Sequence, residues 1–399
     1  MCDSIGLSGN GTIVIESLFM NPRRVIKIIR RGFVFMVQFT VMKIEKHNLK
    51  DEKCPVTITG VYTAETGIFI DPGLTSAPWA VPASPEEESL EIRRVIECFL
   101  KNDQLVRTVL ISRFYPMCVE IINMLPRGYT VFLSQSVKAL WESFNITRRV
   151  KAPEAAVKPF KNNRFFKVGE ISVTPSLAAD LIPGHLSFAF ESAQEKTVYP
   201  AGSYASGDDV KDDPSCGGKT GYNSSGPGFR EYRRYIENAL RGAEDIVFFA
   251  APFGDTEGLA AACQACLRTD SIFAIGIFTA FTADKLSKTE KFFRKFSGNN
   301  VRILFTKTQA DIMSDAGYNS LLYAYNRRKI NIFDIKRGAK KILLMVDDNK
   351  EYLDLLKDIR TEKNGAELIF PRGEECFSPV IREYCRIRGV KATCLGAAV

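Results

Sequence analysis

The chain has 399 residues, of which 45% are hydrophobic and 25% charged; this is ample material for a large buried core and excludes a wholly disordered chain. Its 54 Lys and Arg against 46 Asp and Glu leave a formal charge of +8, a mild bias toward anionic partners such as RNA or DNA that solubility alone also explains. Only two histidines, His47 and His185, occur in the sequence, which excludes chemistry built on several imidazoles.

Residues 1–41 hold the basic cluster Arg23, Arg24, Lys27, Arg30 and Arg31, interleaved with Val and Ile. Two readings stand side by side: a basic arm or targeting segment, or an unconstrained extension translated ahead of an older start at Met42. The apolar run from Gly32 to Met42 is too short to cross a bilayer as a helix, and its alternation predicts a strand. From Met42 the runs VMKIEK, VTITGVYT (56–63) and TGIFIDPGL (66–74) predict strands, the last closed by a turn at Asp71-Pro72-Gly73. Ser84, Pro85 and Glu87 form a helix start ahead of Ile92, Val95, Ile96, Phe99 and Leu100 at one-face spacing. A strand at 105–111, a helical piece from Val119 to Leu125, a strand at 130–133 and a helix from Gln135 to Phe144 capped by Ser134 continue the alternation.

A basic linker from Arg148 to Asn163 precedes the strand-like runs FFKVGEISVTP, HLSFAFES and TVYP, and residues 201–228, rich in Gly, Ser and Asp, form the clearest loop. A second alternating block follows. It comprises helix EYRRYIENALRG, strand DIVFFAAP, helix TEGLAAACQACL, strand SIFAIGIFTA, a helix through Lys295, strand NVRILFTK, a helix from Tyr318 to Asn326, strand KKILLMVD, a helix from Lys350 to Ile359 and strand AELIF. Such a series predicts a parallel sheet domain.

Ten cysteines (Cys2, Cys54, Cys98, Cys118, Cys216, Cys263, Cys266, Cys376, Cys385 and Cys394) are scattered without a framework. With no cleavable signal pattern, they predict reduced thiols in a cytoplasm. Cys263 and Cys266 form the only CxxC, on a segment that reads as a packed helix face. DPSCGGKT has Asp213 where a phosphate-binding loop needs glycine and lacks strand and helix flanks. KILLMVDDNKEYLDLL resembles a receiver-domain start, but too little chain follows Asp348, so Asp347 and Asp348 read as a solvated strand end. GxSxG is absent, and both histidines lie at a strand end or turn.

Several segments together resemble the metallo-β-lactamase fold, and within it the ribonuclease J type of nuclease with an inserted β-CASP domain. TGIFIDPGL resembles the family's early strand and Asp-x-Gly turn. VRTVLISRFYPMCVEIINMLPRGYTVFLSQSVKALWESF resembles the strand, metal loop, helix and strand that carry T-H-x-H-x-D-H. ISVTPSLAADLIPGHLSFAFES and TVYPAGSY resemble the stretches ending in Asp-His and in the bridging Gly-Asp, and the second block is similar to the β-CASP insertion. The resemblance implies an α/β (α+β sandwich) fold: a metallo-β-lactamase-like αββα core with an inserted β-CASP-like parallel α/β domain. Its expected divisions are an extension at 1–41, the metallo-β-lactamase-like domain at 42–228, the β-CASP-like domain at 229–370 and a truncated return segment at 371–399.

At the ligand positions the sequence departs. Arg113, Tyr115, Met117 and Cys118 stand where the family has His, His, Asp and His; Ala179 and Asp180 stand for Asp and His; Ser203 stands for the bridging Asp. The expected cofactor is therefore none: zinc belongs to the family, but its ligands are absent, and Arg113 brings a fixed cation to their place. Asp71, Arg113, Tyr115, Met117, Cys118, Asp180 and Ser203 are expected to line a degenerate cleft. Arg148, Arg149, Lys151, Lys158 and Lys161 are candidate contacts to a nucleic-acid backbone, or an ordinary solvated surface. The expected function is a catalytically degenerate pseudoenzyme that binds RNA or a protein partner. The alternatives are an active metal-dependent hydrolase or nuclease with relocated or partner-supplied ligands, and a decaying relative with no selected activity.

Overall fold

The computed structural model describes residues 3–4, 14–20, 23–30, 33–39, 45–49, 56–63, 66–75, 106–177, 186–192, 196–199, 229–243, 246–251, 253–337, 340–346, 367–370 and 391–394, with a few single positions besides and with backbone alone before residue 60. The first strands, β1 (Asp3–Ser4), β2 (Val14–Met20), β3 (Arg23–Arg30) and β4 (Phe33–Phe39), form an antiparallel sheet of their own in the order β1-β2-β3-β4. The basic cluster thus lies largely on β3, and the run after Gly32 is a strand as its alternation predicts.

Next come β5 (Glu45–Leu49), β6 (Val56–Tyr62), β7 (Gly67–Thr75), β8 (Val106–Ile111), β9 (Thr130–Ser134) and β10 (Ala156–Phe160), which form a six-stranded sheet in the order β10-β9-β8-β7-β6-β5. The pairs from β5 to β7 are antiparallel and those from β7 to β10 parallel. A four-stranded antiparallel sheet follows: β11 (Phe166–Val168), β12 (Ile171–Leu177), β13 (Leu186–Glu191) and β14 (Lys196–Tyr199).

Alternation along the strands fixes which face meets what. Ile68, Ile70 and Leu110 pack with Ile171, Val173, Phe188 and Phe190 in a core between the two sheets. Phe69, Val109, Ile111, Val131 and Leu133 point the other way, into a core shared with α1 (Pro116–Met124) and α2 (Gln135–Thr147). Both faces of the central strands β7, β8 and β9 are therefore buried, which accounts for their apolar character. Helix, sheet and sheet lie in the expected order; the helix predicted from Ser84 to Leu100 falls outside the described residues.

The second half is a seven-stranded parallel sheet in the order β18-β17-β16-β19-β15-β20-β21. Its strands are β15 (Ile246–Phe249), β16 (Ile272–Gly276), β17 (Val301–Leu304), β18 (Lys329–Ile330), β19 (Ile342–Met345), β20 (Glu367–Phe370) and β21 (Lys391–Cys394). Between them run α3 (Phe229–Gly242), α4 (Thr256–Arg268), α5 (Ile277–Ser287), a 3₁₀ segment (Lys291–Ser297), α6 (Lys307–Asp315), α7 (Asn319–Asn326) and α8 (Ile332–Arg337). α4 begins at Asp255, whose carboxylate accepts from the Gly258 N–H at 3.1 Å. Its alanines and the buried Cys263 and Cys266 give a flat face, and α3 packs beside α4 along Tyr232, Ile236 and Leu240.

Several boundaries differ from the sequence expectation. SIFAIGIFTA is a strand only to Gly276 and then becomes α5, because Gln309 on α6 reaches across to accept the Ile277 N–H at 3.1 Å and starts the helix. The supposed linker after Arg148 contains β10, paired in parallel with β9. α1 starts at Pro116 rather than Val119, with proline at its first position, where no N–H is needed. Within 371–399, β21 pairs in parallel with β20. The helix predicted from Lys350 to Ile359 lies outside the described residues.

The cap expected at Ser134 is present: its hydroxyl accepts from the Val137 N–H at 3.1 Å at the start of α2. Ser134→Ala is expected to lower stability by about 1 kcal/mol, read as an earlier urea midpoint with an unchanged slope; an unshifted midpoint would show that the cap contributes nothing.

Candidate functional site

Asp71-Pro72-Gly73 does not close β7. The strand continues to Thr75, and pairing with β6 jumps from Thr59↔Ile70 to Thr57↔Leu74, so residues 71–73 bulge out of the ladder. Two local facts explain this. Asp71 takes a left-handed conformation, φ 44°, and Pro72 has no N–H to give a neighbouring strand. The bulge turns the Asp71 carboxylate inward, where it is 2% exposed.

That carboxylate organises the loop after β8. One oxygen accepts the Ser112 N–H at 2.7 Å; the other accepts from the Ser112 hydroxyl and, at 3.2 Å, from the Tyr199 hydroxyl at the end of β14. Tyr115 donates its hydroxyl to the Pro72 carbonyl at 2.9 Å. A buried carboxylate is tolerable when donors surround it, and these bonds tie β7, β8 and β14 together at one end of the sandwich.

Arg113, Tyr115 and Cys118 all sit in this unit. Arg113 is 8% exposed, so a permanent cation lies inside the protein rather than on its surface. Tyr115 is buried and precedes α1, and Cys118 lies in the first turn of α1, with its N–H on the Tyr115 carbonyl at 3.0 Å. Burial drives the Cys118 thiol far above the usual range, and the nearby Asp71 charge adds to it, outweighing the Tyr115 backbone hydrogen bond. Met117 is placed in the same turn of α1. Asp180 and Ser203 lie outside the described residues. Among the described residues no three His, Cys, Asp or Glu side chains gather as a metal-holding group. Ser112 and Tyr199 carry much of the geometry and were not singled out by sequence; only the inward position of Tyr199 in its strand hints at a role.

The second half closes over this loop. Phe114 meets Phe253 edge-on at 5.7 Å, and Phe144 of α2 meets the same ring at 5.2 Å. Phe253 lies on the connection from β15 to α4, at the carboxyl end of the parallel sheet, where α/β folds commonly hold their ligands. Gly254 beside it has φ +87°, and a Cβ there would sit 2.3 Å from the Phe114 ring.

The five candidate nucleic-acid contacts do not share one face. Arg149 and Lys151 line a groove of about 700 Å³ between α2 and α6, together with Trp141, Ile312 and Tyr318. Arg149 is ion-paired to Asp315 across it at 2.8 Å, while Arg148 lies over the Phe144 ring. Lys158 and Lys161 belong instead to the β10 edge, where Lys158 lies over Phe132 of the sandwich core. In the same groove, Glu142 is held below the usual carboxylate range by Lys138 and Lys285, which overcome the opposing effect of its burial.

No protein-family model and no curated protein matches the chain. Among solved structures it is similar to a protein of unknown function from Enterococcus faecalis V583, with 13% identity and a TM-score of 0.56 over 85% of this chain and 84% of that one. It is also similar to Zn(2+)-bound PqqB from Methylobacterium extorquens, at 13% identity and a TM-score of 0.26 over 36% of this chain and 49% of that one. A third is BJP-1, a subclass B3 metallo-beta-lactamase of Bradyrhizobium japonicum, at 14% identity and a TM-score of 0.26 over 40% of this chain and 59% of that one. The first likeness shows a shared fold at nearly full length. The two metallo-β-lactamase-fold likenesses cover about half of the matched proteins and carry no argument about function.

Two outcomes test this geometry. Gly254→Ala forces a left-handed alanine against Phe114 and is expected to cost about 2–4 kcal/mol, measured by urea denaturation. Combining it with Phe114→Ala should return part of that loss, and a purely additive double variant would refute the contact. Cys118, Cys263 and Cys266 are buried, burial pushing Cys263 up to about 12 and Cys266 well above the usual range. Mass-mapped iodoacetamide labelling at pH 8 should therefore spare these three in the native protein and modify them in guanidinium; rapid native labelling would contradict their burial.

Proposed function

We propose that the chain is a metallo-β-lactamase-like scaffold carrying a β-CASP-like parallel domain, that its two-metal chemistry is lost, and that it acts as an RNA-binding pseudoenzyme. The observation that carries this reading is the content of the loop after β8. Where the resemblance implies imidazole donors, the loop holds the buried cation of Arg113, the Tyr115 hydroxyl committed to the Pro72 carbonyl, and a Cys118 thiol kept protonated by burial.

The donor set does not fit a zinc pair. A water-activating bimetallic centre needs neutral imidazoles and a bridging carboxylate facing a cavity. Here Asp71 already accepts from Ser112 and Tyr199, and Arg113 on the same loop is a buried fixed cation. Phe114 of the same loop is packed against Phe253.

The positive balance of the sequence supports a polyanionic partner. Elemental analysis of purified protein, with phosphodiesterase assays before and after chelation, decides between this reading and a hydrolase with relocated or partner-supplied ligands. Less than one tightly held transition ion per chain and no chelator-sensitive cleavage is the expected result; two tightly held ions with chelator-abolished activity would overturn it.

A further inference from the structure

In the groove beside α2, Arg149 is paired with Asp315 and Lys285 with Glu142. A second surface combines exposed cations with exposed aromatic rings. β18 is the edge strand of the parallel sheet, and the sequence around it, YAYNRRKINIF, interleaves cations with aromatic rings.

Along this edge the side chains alternate. Arg328 turns inward, donating to the Phe296 carbonyl at 2.6 Å and lying over the Tyr325 ring. Its neighbours on both sides turn outward. Arg327 lies over Tyr323 at 5.8 Å and Lys329 over Phe305 at 5.4 Å. Among the described residues neither Arg327 nor Lys329 has a carboxylate partner, unlike the surface pairs Lys340 with Asp270 and Arg386 with Glu383. Tyr323 is 70% exposed and Phe333, just beyond β18, is 72% exposed. Asp334 is the nearby carboxylate, and it is engaged with Asn331, accepting that residue's N–H at 3.1 Å.

Exposed rings on the helices before and after β18, together with cations that have no carboxylate partner among the described residues, match what a single strand of nucleic acid presents: flat bases to stack and phosphates to neutralise. Closely spaced cations favour a polyanion over an uncharged apolar protein patch, and a duplex has no unstacked bases to offer the rings. We propose that the β18 edge, through Arg327, Lys329, Tyr323 and Phe333, is a binding platform for single-stranded RNA, which rests on the RNA-binding reading above and relocates its contacts away from Arg148, Arg149 and Lys151.

Fluorescence anisotropy of the full chain with labelled oligouridylate, titrated with salt, tests it. Wild-type protein should bind at low salt and weaken steadily as salt rises. Arg327→Glu with Lys329→Glu should weaken binding by at least about tenfold and flatten the salt dependence. Tyr323→Ala with Phe333→Ala should weaken it by about tenfold or more without changing that dependence. All four side chains are on the surface, and circular dichroism melts identical to wild type verify the variants' folds. Undiminished binding in both edge variants, with loss in Arg148→Glu, Arg149→Glu, Lys151→Glu, would overturn the platform and leave the RNA reading standing. No binding by wild type at low salt would sink both.

Discussion

One buried carboxylate holds the first half of this protein in register. Asp71 sits in a bulge that β7 forms because a left-handed residue and a proline interrupt its ladder. From there it reaches both the turn after β8 and the end of β14. Burying a lone charge is prohibitive, so the donors supplied by Ser112 and Tyr199 must be in place for the strand to sit where it does. The position of Arg113, Tyr115 and Cys118 follows from that anchoring, since all three hang from the residue that Asp71 grips. An anchor of this kind is indifferent to the other side chains that the loop carries.

The rest of the architecture follows from a sheet that must be covered on both faces. Alternate residues of β7, β8 and β9 feed two different cores, one between the sheets and one beneath α1 and α2. The second of these does not stop at the helices. It runs on through Phe249, Phe273 and Ile303 of the parallel sheet as one apolar cluster, with Phe114, Phe144 and Phe253 at the seam.

Local patterns with a short physical range were legible in the sequence. The Ser134 cap, the strands at 56–62 and 130–134 and the helix 229–242 each declare themselves within a dozen residues through capping chemistry or periodicity. Features decided by distant partners were not. The helix after β16 was expected but its start at Ile277 was not, since the Ile277 N–H is taken up by Gln309, far along the chain. β10 hides among Lys and Pro because its one neighbour, β9, supplies the hydrogen bonds. Within the site, the residues at 113, 115 and 118 were visible, whereas Asp71 read as part of a closing turn and sits instead in a bulge of β7. The pairing of Asp71 with Tyr199 was not, since a hydroxyl from 128 residues away leaves no local trace. Asp180 and Ser203 lie outside the described residues, and Met117 is described in backbone alone.

The unbroken apolar cluster at the seam has a mechanical consequence. Proteins that clasp a ligand by hinge bending keep two independent cores joined by a pliable link, so each half rotates without disturbing its own packing. Here a rotation of one half against the other would pull Phe253 off Phe114 and Phe144 and open interior surface to solvent. Moving the halves apart would therefore cost buried apolar packing, as it would within one core.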